Sequence, residues 1–144
     1  MAAQFSLAGL LRLRHAQQDQ AAGDLAAANL RRAQNAASES KTRTALGGTP
    51  SDATSTEALH ALAAARASSR SMLADLSALA RHHEATAEEA QRVFEAARAQ
   101  SLSLEKLEIR HNEAVTADEL KAEQIILNEI ATTSWHRDGS GGAR

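Results

Sequence analysis

From Thr56 to Asp138 the chain contains neither glycine nor proline. Such a stretch reads as one long helix, because the residues that end or bend helices are missing from its interior. A heptad frame runs through it at Leu59, Leu62, Leu73, Leu76, Ala80, Ala87, Ala90, Phe94, Ala97, Leu104, Val115, Ala122 and Ile125. Steps of three and four alternate along the frame, which keeps one stripe facing a partner helix. Arg66, Ser69, His83, Ser101, Glu108, His111 and Asp118 fall in the same frame and weaken it. Unbroken, a helix of roughly 80 residues rises ~120 Å, too long for a compact domain.

Composition points the same way. The 144 residues are 43% hydrophobic but only 2% aromatic, and 34 of them are alanine. Alanine favours helix and removes little apolar area from water, so the chain is suited to helix formation more than to core formation. Met1, Phe5, Met72, Phe94 and Trp135 are all the aromatic and methionine residues present, too few to fill an α/β enzyme core. The formal charge is -2, with no basic tract of the kind that binds nucleic acid or an anionic membrane. No cysteine is present, which removes disulfides, thiolate metal sites and cysteine nucleophiles and leaves the redox compartment open. No apolar run approaches the roughly 20 residues that span a bilayer. Near the N-terminus Arg12 and Arg14 follow the apolar patch instead of preceding it, the reverse of a secretory signal, so a cytoplasmic protein is expected.

The one strong break is Gly47-Gly48-Thr49-Pro50. A helix arriving from the N-terminal side should end near Leu46, and Ser51, Asp52, Ser55 and Thr56 supply candidate caps for the next. The fold expected is all-α: an elongated antiparallel two-helix coiled-coil hairpin forming one domain over 1–138, with helices about 5–46 and 55–136, a turn at 47–54 and a flexible tail over 139–144. The first helix carries Leu7, Leu11, Ala21, Leu25 and Ala28 at the same alternation, with Gly9 and Gly23 inside it. Its second half, residues 31–44, has almost no large apolar group, so that stretch should need a partner or fray. Two tetrads in the long helix, Thr86-Ala87-Glu88-Glu89 and Thr116-Ala117-Asp118-Glu119, resemble capping boxes, and a kink near His82 to Thr86 is expected in preference to a true break.

Few residues carry chemistry. Glu108 and His111 have the Glu-x-x-His spacing of di-iron bundles, but a second pair is missing, and a polar seam position is the simpler reading. His82, His83 and Glu84 are adjacent, so their side chains leave a helix about 100° apart and do not converge on one ion. No phosphate loop or nucleophile elbow occurs, and a helical pair offers no pocket that excludes water, so no enzyme activity, metal or other cofactor is expected. What remains is surface: Leu7, Leu10, Leu11 and Leu13 with Arg12 and Arg14 at one end, and Ile125, Ile126, Leu127, Ile130 and Trp135 at the other. Both clusters are wider than a two-helix seam. In an antiparallel hairpin the chain ends meet, so these clusters either clamp each other or bind a protein partner.

The opening from Phe5 to Asn29, with its Leu10-Leu11-Arg12-Leu13-Arg14 run, resembles the first helix of the flagellar export protein FliJ family in its alanine-rich form. The segments Phe94 to Arg98, Leu104 to Asn112 and Glu129 to Trp135 are similar to that family's C-terminal helix. The resemblance implies a non-enzymatic stalk and chaperone-escort protein of the flagellar type III export apparatus, cytoplasmic and held at the inner face of the membrane through protein partners. It implies an export ATPase, an export gate protein and export chaperones as those partners, with no nucleic acid, no direct membrane insertion, and a monomeric or weakly self-associating state. Carried onto this chain, it implies that Leu7, Leu11, Arg12 and Arg14, with Ile126, Ile130 and Trp135, face the ATPase ring. The first helix lacks bulky residues near the tip, so the resemblance places no residue at the gate contact. A self-assembling coiled-coil scaffold or peripheral stalk is the alternative that the heptad frame alone supports.

Overall fold

The computed structural model describes residues 4–139, with side chains through Arg137. Two helices make up the fold, α1 (Ala8–Gly47) and α2 (Thr56–Gly139), and the described residues include no strand. The architecture is the all-α antiparallel two-helix hairpin. Both helices extend slightly beyond the expected C-terminal bounds, and α1 starts at Ala8 instead of near Phe5, the preceding residues forming a turn closed by the Ala8 N–H on the Phe5 carbonyl at 3.1 Å. Gly139 closes α2, and the rest of the tail expected over 139–144 lies outside the described residues.

The chain packs as two units, His15–Ala99 and Met1–Arg14 with Gln100–Arg144. In the His15–Ala99 unit the antiparallel register is written in three cross-helix contacts. Thr42 Oγ1 lies 3.6 Å from Met72 Sδ, Asn35 Nδ2 donates to the Leu76 carbonyl at 3.0 Å, and Arg32 pairs with Glu84 at 3.0 Å, one helix descending in number as the other rises. On α2 the partly or fully buried residues of this unit are Ala58, Leu62, Arg66, Ser69, Leu73, Leu76, Ala80, His83, Ala87, Ala90, Phe94 and Ala97, with Ser77 beside them. Between Leu62 and Ala97 the seam therefore follows the heptad frame step for step. Its first position is Ala58, not Leu59, because Leu59 points into solvent.

Residues 31–44, expected to need a partner or fray, are helical and have a partner in α2: α1 continues through Gly47. Polar bonds hold what apolar burial does not. Besides the cross-helix contacts, the Thr42 and Thr44 hydroxyls donate to carbonyls four residues back at 2.9 and 3.0 Å. The connector is tied by Arg66 Nη2 to the Pro50 carbonyl at 3.0 Å and by Thr49 Oγ1 to the Ala45 carbonyl at 3.1 Å. None of the described glycines has a positive φ, so the paired glycines end α1 without the left-handed cap common at helix C-termini.

Of the four candidate caps for α2, Ser55 takes the role. Its Oγ accepts the Ala58 N–H at 3.1 Å and its carbonyl accepts the Leu59 N–H at 3.0 Å, the geometry that satisfies the first orphan donors of a helix. Ser55→Ala should lower stability by about 1 kcal/mol, and Ser55→Asp should keep most of it. Urea denaturation followed by circular dichroism reads both; equal midpoints for wild type and Ser55→Ala would remove the cap from the account.

In the other unit Leu11 and Leu104 are the buried apolar side chains, and Ser101 is fully enclosed at 0% exposure. Its α2 seam residues are Ser101, Leu104, Glu108, His111 and Val115, again in the heptad frame, with the partly buried Glu105 beside them. Small seam residues let helix backbones approach closely but remove little area from water. Across both units the buried apolar residues are Leu11, Leu104 and three alanines, Ala21, Ala28 and Ala87. At roughly 25 cal/mol per Å², such a seam leaves the hairpin with modest stability. The tetrads at Thr86 and Thr116 start no helix; both threonines lie inside α2 and donate to carbonyls four residues back, at 2.9 Å each. Helical hydrogen bonding runs unbroken through 82–86.

Candidate protein-binding surface

The seam of α2 ends at Val115. From Thr116 to Arg137 every residue is exposed, although the heptad frame continues through Asp118, Ala122 and Ile125. The reason is geometric. Phe5 sits against His111, with ring centroids 5.6 Å apart, and Val115, one turn further on, is the last α2 residue that is not exposed. The frame encodes a capacity to pair, and only a facing helix turns it into burial.

This end of α2 is rich in large apolar groups. Leu120, Ile125, Ile126, Leu127, Ile130 and Trp135 are all more than half exposed, Trp135 at 78%. Ile125, Ile126 and Leu127 are consecutive, so their side chains leave the axis about 100° apart and share no single face. Large apolar side chains thus point to several sides of a segment that also carries Lys121, Glu123, Gln124, Asn128 and Glu129, a spread wider than a single contact stripe. Leu120 also joins Ile109, Asn112, Glu113, Thr116 and Ala117 around a shallow hollow on α2.

The expected site residues fall into two separate groups. Leu7 is partly exposed and Arg12 exposed, whereas Leu11 is buried in the seam and Arg14 is half-buried with a partner of its own. Ile126 and Ile130 lie four residues apart on one side of α2, and Trp135 stands further along it, its ring 6.2 Å from that of His136. The expected alternative that the two apolar clusters clamp each other is corrected here, among the described residues. From His111, where Phe5 packs, α2 rises about 22 Å to reach Ile126. The two clusters therefore do not clamp each other.

The remaining polar groups are structural. His111 is a seam residue against Phe5, Glu108 is the seam residue one turn before it, and the rings of His82 and His83 lie tilted to each other with centroids 5.7 Å apart. Among the described residues no group of three or more histidines and carboxylates converges, and no helix is long and apolar enough to cross a membrane. Leu25, Asn29, Arg32, Glu84, Ala87 and Gln91 line an open groove in the His15–Ala99 unit. Sequence reasoning missed Asn35, only 7% exposed. Its signal was available: it stands seven residues after Ala28, itself a seam residue. Comparison with family models, curated proteins and solved structures returns no match.

Proposed function

We propose that this chain is a non-enzymatic, stalk-like component of the flagellar type III export apparatus, which binds the export ATPase ring through the C-terminal end of α2 and links that ring to the export gate and its chaperones. The observation that carries the reading is the exposure of Leu120, Ile125, Ile126, Leu127, Ile130 and Trp135, which point to different sides of the α2 axis. A flat partner covers one side of a helix; residues that point around the axis call for a socket, and a ring with a central opening is one. Charge agrees with a protein partner, since Asp118, Glu119, Lys121, Glu123 and Glu129 surround these apolar groups with a mixed, mainly acidic rim. Leu7, Arg12 and the half-buried Arg14 would meet a second, lower part of such a socket, while Leu11 supports it from the seam.

The test is stimulation of the purified cognate export ATPase by this chain, compared with a triple variant Ile126→Ser, Ile130→Ser, Trp135→Ser. The wild type should bind and stimulate. The variant should lose at least about 100-fold in affinity, the scale expected when several central apolar anchors are removed together. Its helical signal and melting temperature should stay near those of the wild type, because all three residues are exposed in the free hairpin. Folded wild-type protein that neither binds nor stimulates the ATPase would end this reading.

A further inference from the structure

We propose that α2 beyond Val115 is an arm that folds on binding: residues 116–137 open and close as a helix apart from the paired helices, and the partner fixes them closed. The identity of that partner rests on the ATPase reading above; the opening of the arm in the free chain does not. Up to Val115 each turn of α2 carries a seam residue that is partly or fully buried. From 116 to 137, about six turns, every residue is exposed. Helices in proteins are held mainly by the packing of one face, and only weakly by intrinsic propensity. A length of helix with no packed face lies at the low end of the local stabilities of its chain. The change falls at one place, Val115, where burial stops.

The arm's own sequence does not make up for the missing contact. Ile125, Ile126, Ile130, Thr132 and Thr133 are β-branched and lose rotamer freedom in a helix. The hydroxyls of Thr132, Thr133 and Ser134 donate to the carbonyls of Asn128, Glu129 and Ala131 at 2.7, 2.9 and 2.9 Å, back-bonds that slightly destabilise a helix. Glu119 and Glu123 place like charges four residues apart. The Gln124 amide donates to Asn128 Oδ1 at 3.0 Å, which acts in the other direction, but a pair of this kind adds little. Leu120, Ala122, Leu127 and Ala131 are good helix formers, so the closed form is within reach once a surface supports it. Part of the contact energy of the exposed apolar groups then goes into ordering the arm. A wide apolar contact made this way is specific and still releasable.

Hydrogen exchange of the full chain, read by mass spectrometry with no second protein present, is the deciding test. Amides of 116–137 should exchange at least about 100-fold faster than those of 62–97. Equal protection of the two segments would overturn the proposal, whatever the ATPase does. With the cognate export ATPase added, 116–137 should gain protection while 62–97 stays as it was. Helix propensity in the arm should then set affinity. Ala122→Gly with Ala131→Gly, which removes only two methyl groups, should weaken binding about tenfold, and Thr132→Ala with Thr133→Ala should tighten it about threefold. Neither pair should move the melting temperature of the free chain, because the arm takes no part in the cooperative unfolding of the paired helices. Binding that neither pair alters, or a glycine pair that lowers the melting temperature of the free chain, would also overturn it. An ATPase that does not bind at all would end the earlier reading and leave the exchange result of the free chain to decide this one.

Discussion

Leu104→Asp is expected to unpair the helices of the Met1–Arg14 and Gln100–Arg144 unit, with a loss of at least about 3 kcal/mol. Leu104 and Leu11 are its buried apolar side chains, and the neighbouring seam residue Ser101 adds almost no area. A carboxylate at position 104 removes half of that burial and stands one turn from Glu108, a like charge at the i+4 spacing. Hydrogen exchange read by mass spectrometry locates the effect. Amides of 100–115 should exchange as in an unpaired helix, while those of 62–97, supported by Leu62, Leu73, Leu76 and Phe94, should keep their protection. Leu104→Met, which conserves volume, should cost less than about 1.5 kcal/mol. Full protection of 100–115 in Leu104→Asp would show that something other than the seam holds this unit.

The parts of this fold that were legible in the sequence are those where one pattern had one physical meaning. The run without glycine or proline became α2, and small or apolar residues at steps of three and four between Leu62 and Val115 became its seam, with His83, Ser101 and His111 inside it as expected. Where a pattern could be satisfied in two ways, it misled. Leu59 is a better apolar residue than Ala58, but the helix phase near the connector turns Ala58 inward. Asp118, Ala122 and Ile125 keep the frame with no facing helix, so periodicity alone overstated the seam. In 31–44 the lack of large apolar groups left a partner or fraying as the outcomes; α2 is the partner, and side chains that an apolar count ignores, Asn35 and Arg32, close the seam by polar bonds. The candidate surface was legible at Ile126, Ile130 and Trp135, whose exposure follows from their distance from Phe5 and His111; Leu11 was not separable from Leu7 without the register.

Asn35→Leu should make the hairpin more stable and less specific. Asn35 is nearly buried, and its amide donates to the Leu76 carbonyl at 3.0 Å across the seam. That bond replaces one the amide would make to water, so its net worth is only about 1 kcal/mol, while leucine at the same position would add roughly 1.5–3 kcal/mol of burial. The hairpin has open flanks, so the extra volume can be accommodated where a closed core would be overpacked. A gain of about 1–2 kcal/mol is expected, seen as a higher urea midpoint. The second consequence concerns register. With alanines at Ala21, Ala28, Ala80, Ala87 and Ala90, the neighbouring layers are nearly interchangeable, so a slide of one heptad changes little apolar contact. The half-exposed Arg32–Glu84 pair resists such a slide by no more than about 1 kcal/mol. Asn35 resists it by demanding a carbonyl at the right height and by penalising any register that buries its amide without one. In the Asn35→Leu variant, cysteines placed at Thr42 and Met72, whose side chains lie 3.6 Å apart across the seam in a chain with no cysteine of its own, should give a lower yield of the native disulfide, and cysteines at Thr42 and Leu79, offset by seven residues, a new one. A variant that is destabilised, or that keeps the native cross-link alone, would show that Asn35 serves stability and not register.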